Sequence, residues 1–315
     1  MRNILVLIGL AVLNPRSAVP ARAPSQAEQD YIIGSRVGRC LVLQCQVFRG
    51  SFKANAGPPG DSVTVRVEEL ISGPSPKTGE ISIPYAQFQE GNSGDGGQPL
   101  AMAWASVKVA HNTSVTIVLA LESGWGVRAG LPVFITSNEK EIGTIRSLVE
   151  ESSRLEHSPM QVSSSVASLS RTPNPALAGY LAVYLTWSKA LSNREFSADL
   201  LSQIFGNPSV PDAAADDLVF SLLGKYHGLP AESGVRGTIV RRLTQVGQQP
   251  GRHAAVSAIQ GLARLVGSDE SVRTMPSETA LEGLANNYRG LVKRGSIPRN
   301  PTFETGLAIK YETAR

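Results

Sequence analysis

The chain has 315 residues, 42% of them hydrophobic and 18% charged, the balance of an ordinary folded protein, which excludes a disordered or low-complexity chain. Thirty Lys and Arg against 26 Asp and Glu leave too small a positive excess for nucleic acid, whose binders neutralise many phosphates with a concentrated basic surface. A length of 315 residues is more than one hydrophobic core usually organises, and it sets the expectation of two domains.

Residues 1–23 read as a signal peptide. Arg2 precedes the apolar run "ILVLIGLAVL" (4–13), Asn14-Pro15 breaks it, and small residues follow in "SAVPARA". Cleavage after Ala21 and cleavage after Ala23 both fit. Ten apolar residues are too few to cross about 30 Å of hydrocarbon as a helix. Loss of Arg2 and Arg16 leaves 28 basic against 26 acidic side chains. The expectation is a secreted or periplasmic bacterial protein with no integral membrane segment in the mature chain. The later apolar stretch "ALAGYLAVYLTW" (176–187) reads as a buried helix.

From 36 onward the apolar residues alternate. "GRCLVLQCQVF" (38–48), "VTVRV" (63–67), "EISIPY" (80–85), "VTIVLAL" (115–121) and "LPVFIT" (131–136) are expected strands. They are separated by the turn-rich segments "NAGPPGD" (55–61), "SGPSPKTG" (72–79) and "EGNSGDGGQP" (90–99). The period then changes in "SNEKEIGTIRSLVEESSRL" (137–155), where Ile142, Ile145, Leu148 and Val149 form one helical stripe behind the cap Asn138. Residues 36–155 are therefore an antiparallel β barrel or sandwich with one closing helix. The Ser-rich stretch 156–174 reads as a linker. Six helices are expected from 175 to 294, starting near Asn174-Pro175, Asn193, Pro211-Asp212, Ser233, Gly251 and Pro276. Their spacing in pairs suggests an α-solenoid, with a six-helix bundle as the alternative. Residues 295–315 are expected to pack weakly. The fold class is α+β, with the all-α domain separate from the β domain.

The segments "VFRG", "VTVRVEELISGPSPKTGEISIP" and "GLPVFIT", followed by a helix, resemble bacterial versions of the netrin-like fold of tissue inhibitors of metalloproteinases. This resemblance implies an OB-type barrel over about 36–155. The helical half looks like HEAT-type repeats over about 175–294. The metalloproteinase inhibitors insert an N-terminal Cys-x-Cys into the enzyme's zinc site. Cys40 and Cys45 do not match that motif, so inhibition of that kind does not carry over.

These are the chain's two cysteines. Read inside one strand, their α-carbons stand about 16 Å apart at about 3.3 Å per residue, beyond the roughly 7 Å that a disulfide spans. The odd offset also points them to opposite faces, so a Cys40–Cys45 disulfide is disfavoured, with Cys45 in the core. Two cysteines with no nearby histidine pair make no zinc site. "GNSGDGG" (91–97) echoes a serine-protease nucleophile and His111 follows at "VAHNTS", but no helix follows Ser93 to form a nucleophile elbow. Neighbouring carboxylates such as Asp216-Asp217 diverge on a helix and read as solvated. His227, at a helix end beside Gly228, suits the helix dipole. Trp104 and Trp125 read as core or as a stacking surface. Arg241-Arg242 and Lys293-Arg294 read as helix ends that could form a basic ridge.

No cofactor is expected. The function expected from these residues is that of an exported, non-enzymatic binding or scaffold protein, acting through contacts with an unknown protein or envelope component. The alternatives are a hydrolase of unfamiliar design using Ser93 and His111, and carbohydrate binding by the β domain through Trp104 or Trp125.

Overall fold

The structure is a computed structural model that describes residues 24–52, 62–84, 114–124, 129–130, 132–155 and 158–307. The proposed signal peptide therefore lies outside the described residues. So do Ser93, His111, Trp104 and Trp125.

The first element is a helix, α1 (Gln26–Val42), where the alternation from 36 suggested a strand. The correction has a local cause. Ser25 and Glu28 form a reciprocal capping box: the Glu28 N–H donates to Ser25 Oγ at 3.3 Å, and the Ser25 N–H donates to Glu28 Oε2 at 2.5 Å. Once started, the helix carries Ile33, Val37 and Cys40 on one buried face. It ends at Leu43, whose backbone leaves the helical region at φ −84° and ψ −107°. Strand β1 (Cys45–Phe52) follows at once. The stretch 38–48 is thus half helix and half strand.

β1 is the centre of one antiparallel sheet with β2 (Ser62–Ser72), β3 (Glu80–Pro84), β4 (Val115–Ala120) and β5 (Pro132–Thr136), in the order β3-β2-β1-β4-β5. The register pairs Val47 with Val118 and Phe48 with Ile117. Side chains alternate across a sheet, so these neighbours serve opposite faces. Val47, Val118 and Ala120 join the core shared with the helices. Phe48, Phe52, Val65, Ile83, Ile117 and Ile135 form a second apolar cluster on the other face. Burial on both faces explains why all six residues of β4 are buried. The helix expected to close this half is α2 (Glu139–Leu155), with Ile142, Ile145, Leu148 and Val149 buried as its stripe required. Arg49 and Arg146 tie α2 to the sheet surface through Arg49–Glu139 at 3.0 Å and Glu69–Arg146 at 2.6 Å.

The Ser-rich segment is not a linker. It forms α3 (Pro159–Arg171), capped by Ser158 and started by Pro159, with Val162, Val166 and Leu169 buried. Serine lowers helix propensity by tenths of a kcal/mol, and burial of three apolar side chains outweighs that. The six expected helices follow as α4 (Pro175–Trp187), α5 (Arg194–Ile204), α6 (Ala215–His227), α7 (Gly234–Gly247), α8 (His253–Ser268) and α9 (Glu278–Lys293). Asn174, Asn193, Ser233 and Ser277 cap four of them by accepting backbone N–H bonds. A 3₁₀ turn at Asp212–Ala214 leads into α6. His227 closes α6 at the cap Gly228, as its sequence position implied.

The tail also departs from expectation. α10 (Pro301–Gly306) docks on α8, and Ile297, Phe303 and Leu307 are buried. Residues 308–315 lie outside the described residues.

Helices two apart in the chain touch: α3 with α5, α4 with α6, α5 with α7, α6 with α8, α7 with α9 and α8 with α10. Two layers result. α1 completes one of them by packing along α4. The approach is close because small residues face each other: a Cβ on Gly34 would fall 1.9 Å from the Ala176 carbonyl oxygen, and one on Gly179 would fall 2.4 Å from that of Tyr31. α4 is correspondingly buried all round from Ala178 through Leu185. One contiguous apolar core therefore runs from Tyr31 in α1, through Val47 and Val118 in the sheet, to Leu307. The helices do not form a core apart from the β half, because α1 belongs to both.

Among the described residues, no helix is long and apolar enough to cross a membrane.

Candidate functional site

The layered helices bring together polar groups that lie far apart in sequence. Three such groups are held together by their own hydrogen bonds. Lys225 Nζ donates to Ser197 Oγ at 3.1 Å, and burial together with nearby Arg194 pulls the Lys225 ammonium below its usual pKa. This is the pairing of a serine nucleophile with a lysine base. Ser197, however, is 0% exposed and spends its own proton on the Arg194 carbonyl at 3.0 Å. No substrate reaches it.

Asp216, on α6, accepts from Ser257 Oγ at 2.5 Å and faces His253 Nε2 at 3.3 Å, both on α8. The serine bond, then the histidine, holds its carboxyl below the ordinary range. The carboxylate sits between serine and imidazole, so the imidazole cannot take the serine proton, as a hydrolytic triad requires. Asp216 is exposed, as expected, and it also has partners, of which Ser257 lies 41 residues away, beyond any local pattern.

At the far end of α6 and α8, Tyr226 Oη donates to Asp269 Oδ2 at 2.7 Å and Arg236 donates to the same oxygen at 3.1 Å. The Arg236 guanidinium also lies 4.8 Å from the Tyr226 ring centroid. Ser271, then Tyr226, lower the Asp269 pKa.

The fourth cluster opens to solvent. Between α8, α9 and the segment leading into α10 lies a groove of about 390 Å³. Ile259, Ala263, Ile297 and Phe303 give it apolar walls, and Arg264 and Arg299 stand at its sides. Tyr288 Oη donates to Glu304 Oε1 at 2.9 Å and accepts the Asn300 N–H at 2.8 Å. Arg299 grips both oxygens of Glu304, with Nε at 3.0 Å from each and Nη2 at 2.9 Å from Oε2. Arg299, and then Tyr288, hold the Glu304 carboxyl below its usual range although burial works the other way. Burial raises the Tyr288 pKa, so its hydroxyl stays protonated. The groove thus sets apolar side chains beside the exposed Arg264, while Arg299 is already paired with Glu304.

Glu304 is 6% exposed, so its ionisation is linked to folding. Its folded pKa is depressed, and the stabilisation is complete above the ordinary carboxylate range and lost as pH falls below it. The melting temperature of the wild type is expected to drop on that acid side more steeply than that of Glu304→Gln. Parallel profiles of Tm against pH for the two chains would show that this carboxyl carries no such linkage.

The sequence-derived basic pairs are only partly placed as expected. Lys293 and Arg294 do end α9 and are exposed. Arg241 and Arg242 lie within α7, not at its end, which is Gly247. None of the four forms an ion pair among the described residues. Among those residues, too, no three His, Cys, Asp or Glu side chains converge as metal ligands. The groove had escaped sequence reading because its arginines fall on α8 and in the segment taken for a weakly packed tail. The available signal was "SIPRNP", where Pro298 and Pro301 frame an ordered cap at Asn300.

No protein-family model, curated protein or solved structure matches this chain.

Proposed function

We propose that this is an exported, non-enzymatic binding or scaffold protein, secreted or periplasmic, that acts through contacts with a protein partner. The observation that carries the reading is the groove between α8, α9 and α10, lined by Ile259, Ala263, Ile297 and Phe303 together with the exposed Arg264. Such a surface suits an apolar side chain next to a carboxylate. The two helix layers support the reading of stacked HEAT-like pairs, which present long surfaces to partners. The strand order, with β3 and β5 at the edges, supports the reading of an OB-type sheet opened between those strands.

Envelope extract of the native host, passed over immobilised full chain, tests this. Ala263→Trp, which plugs the groove, and Arg264→Glu are expected to abolish capture of a partner that the wild type retains, with unchanged Tm. Phe220, 68% exposed on α6, supplies the control. Capture lost in Phe220→Ser and kept in Ala263→Trp places the contact elsewhere and overturns the groove.

A further inference from the structure

The junction between α1 and β1 brings Cys40 and Cys45 face to face. Cys40 lies in the last turn of α1, Cys45 is the first residue of β1, and the chain reverses between them at Leu43 and Gln44. Their Sγ atoms are in direct contact, 2.6 Å apart. This corrects the physical basis on which a bridge was disfavoured. The separation of about 16 Å assumed one continuous strand, and the helix end removes it.

The reversal is held on every side. The Leu121 N–H donates to the Gln44 carbonyl at 2.9 Å. The Gln46 side chain donates to the Pro74 carbonyl at 2.5 Å. Gly73, at φ +90°, lets the β2–β3 turn lie so close that a Cβ there would come 2.3 Å from the Cys45 carbonyl oxygen. β1 is hydrogen-bonded on both edges, to β2 and β4. This frame fixes the backbone on which both sulfurs are carried. Cys40 is 0% and Cys45 9% exposed, and both belong to the main core. No third ligand stands near enough to make a metal site among the described residues.

We propose that Cys40 and Cys45 form an intramolecular disulfide that pins the end of α1 to the central strand of the sheet. The bond is structural and not a surface switch. Contact with Cys40 and burial both push the Cys45 thiol up, so little thiolate exists in the folded chain. Oxidation therefore precedes burial. In the partly folded chain one cysteine thiolate attacks an external disulfide, expels one thiol and leaves a mixed disulfide. The second cysteine thiolate attacks the protein sulfur of that intermediate, forms the Cys40–Cys45 bond and expels the second thiol. The two protons lost by the cysteines end on the two released thiols, and the two electrons reduce the external disulfide.

The test does not depend on the binding reading. The full chain is refolded in a glutathione redox buffer, denatured with iodoacetamide and no reductant, and cut with trypsin. Both cysteines then fall in one peptide, residues 40–49, because Arg39 and Arg49 bound it. The expected peptide is unalkylated and about 2 Da lighter than its reduced form, one S–S bond replacing two S–H bonds. Dithiothreitol is expected to open the bond only in denaturant, and the reduced chain to melt about 5 °C lower, the shift a loop this short provides. Cys40→Ala/Cys45→Ala should melt at one temperature with or without dithiothreitol. A peptide carrying two alkyl groups, or one cross-linked to a second copy, overturns the proposal. So does an unchanged melting temperature after reduction.

Discussion

Replacing Gly34 by alanine is expected to cost about 3 kcal/mol or more, the upper end of what overpacking a core does. The added Cβ would sit 1.9 Å from the Ala176 carbonyl oxygen. That neighbour is backbone, held in the first turn of α4, so no side-chain rotation relieves the clash. The two helices must separate, and with them the surface that Tyr31, Val37 and Gly38 bury against α4. Against a total stability of about 5–15 kcal/mol for a typical domain, this is a large share. Gly143 offers the contrasting site. It lies exposed on α2, and a Cβ there meets nothing within 4 Å. Gly143→Ala is expected to stabilise by up to about 1 kcal/mol through helix propensity alone. Urea unfolding followed by far-ultraviolet circular dichroism compares the two. Equal midpoints for Gly34→Ala and the wild type would mean that α1 does not cross α4 at this distance.

Phe303→Ala is expected to cost about 3–5 kcal/mol, as for a fully buried aromatic. Its ring lies 5.1 Å from that of Tyr288, and it is wholly buried between α10 and the helices beneath. Its removal would leave a cavity beside the buried Glu304, whose pairing with Arg299 and Tyr288 depends on α10 being seated. Gly306 must also stay small, since a Cβ there would meet Val266 at 2.1 Å. A loss below about 1 kcal/mol in the same urea experiment, the range of ordinary surface substitutions, would restore the view of residues 295–307 as a loosely attached end.

Both results bear on what could be read from the chain. Strands β2 to β5 and helices α2 and α4 to α9 fell where alternation, 3.6-residue stripes and caps put them. Those signals are local: Val63, Val65 and Val67 alternate within five residues, and Asn193 caps the residues that follow it. α1 and α3 escaped for different reasons. In α1 the run "CLVLQCQV" alternates like a strand, and the capping box at Ser25 lies fifteen residues upstream of Cys40. In α3 serine masks a sound stripe of Val162, Val166 and Leu169. Of the candidate groove, Arg264 was visible only as one more helical arginine, and Arg299 lay in a chain end expected to pack weakly.

By itself the sequence determined the α+β class, the order of most elements and their caps, because hydrophobic period and capping act over a few neighbouring residues. Tertiary structure decided that α1 joins sheet and helices into one core, that Cys40 meets Cys45, and that Arg264 and Arg299 line one groove. The cysteine contact follows from where α1 ends, and the other two outcomes depend on close approach between surfaces whose residues are far apart in the chain, as Gly34 is from Ala176. Such contacts are set by packing distance, which no local pattern encodes.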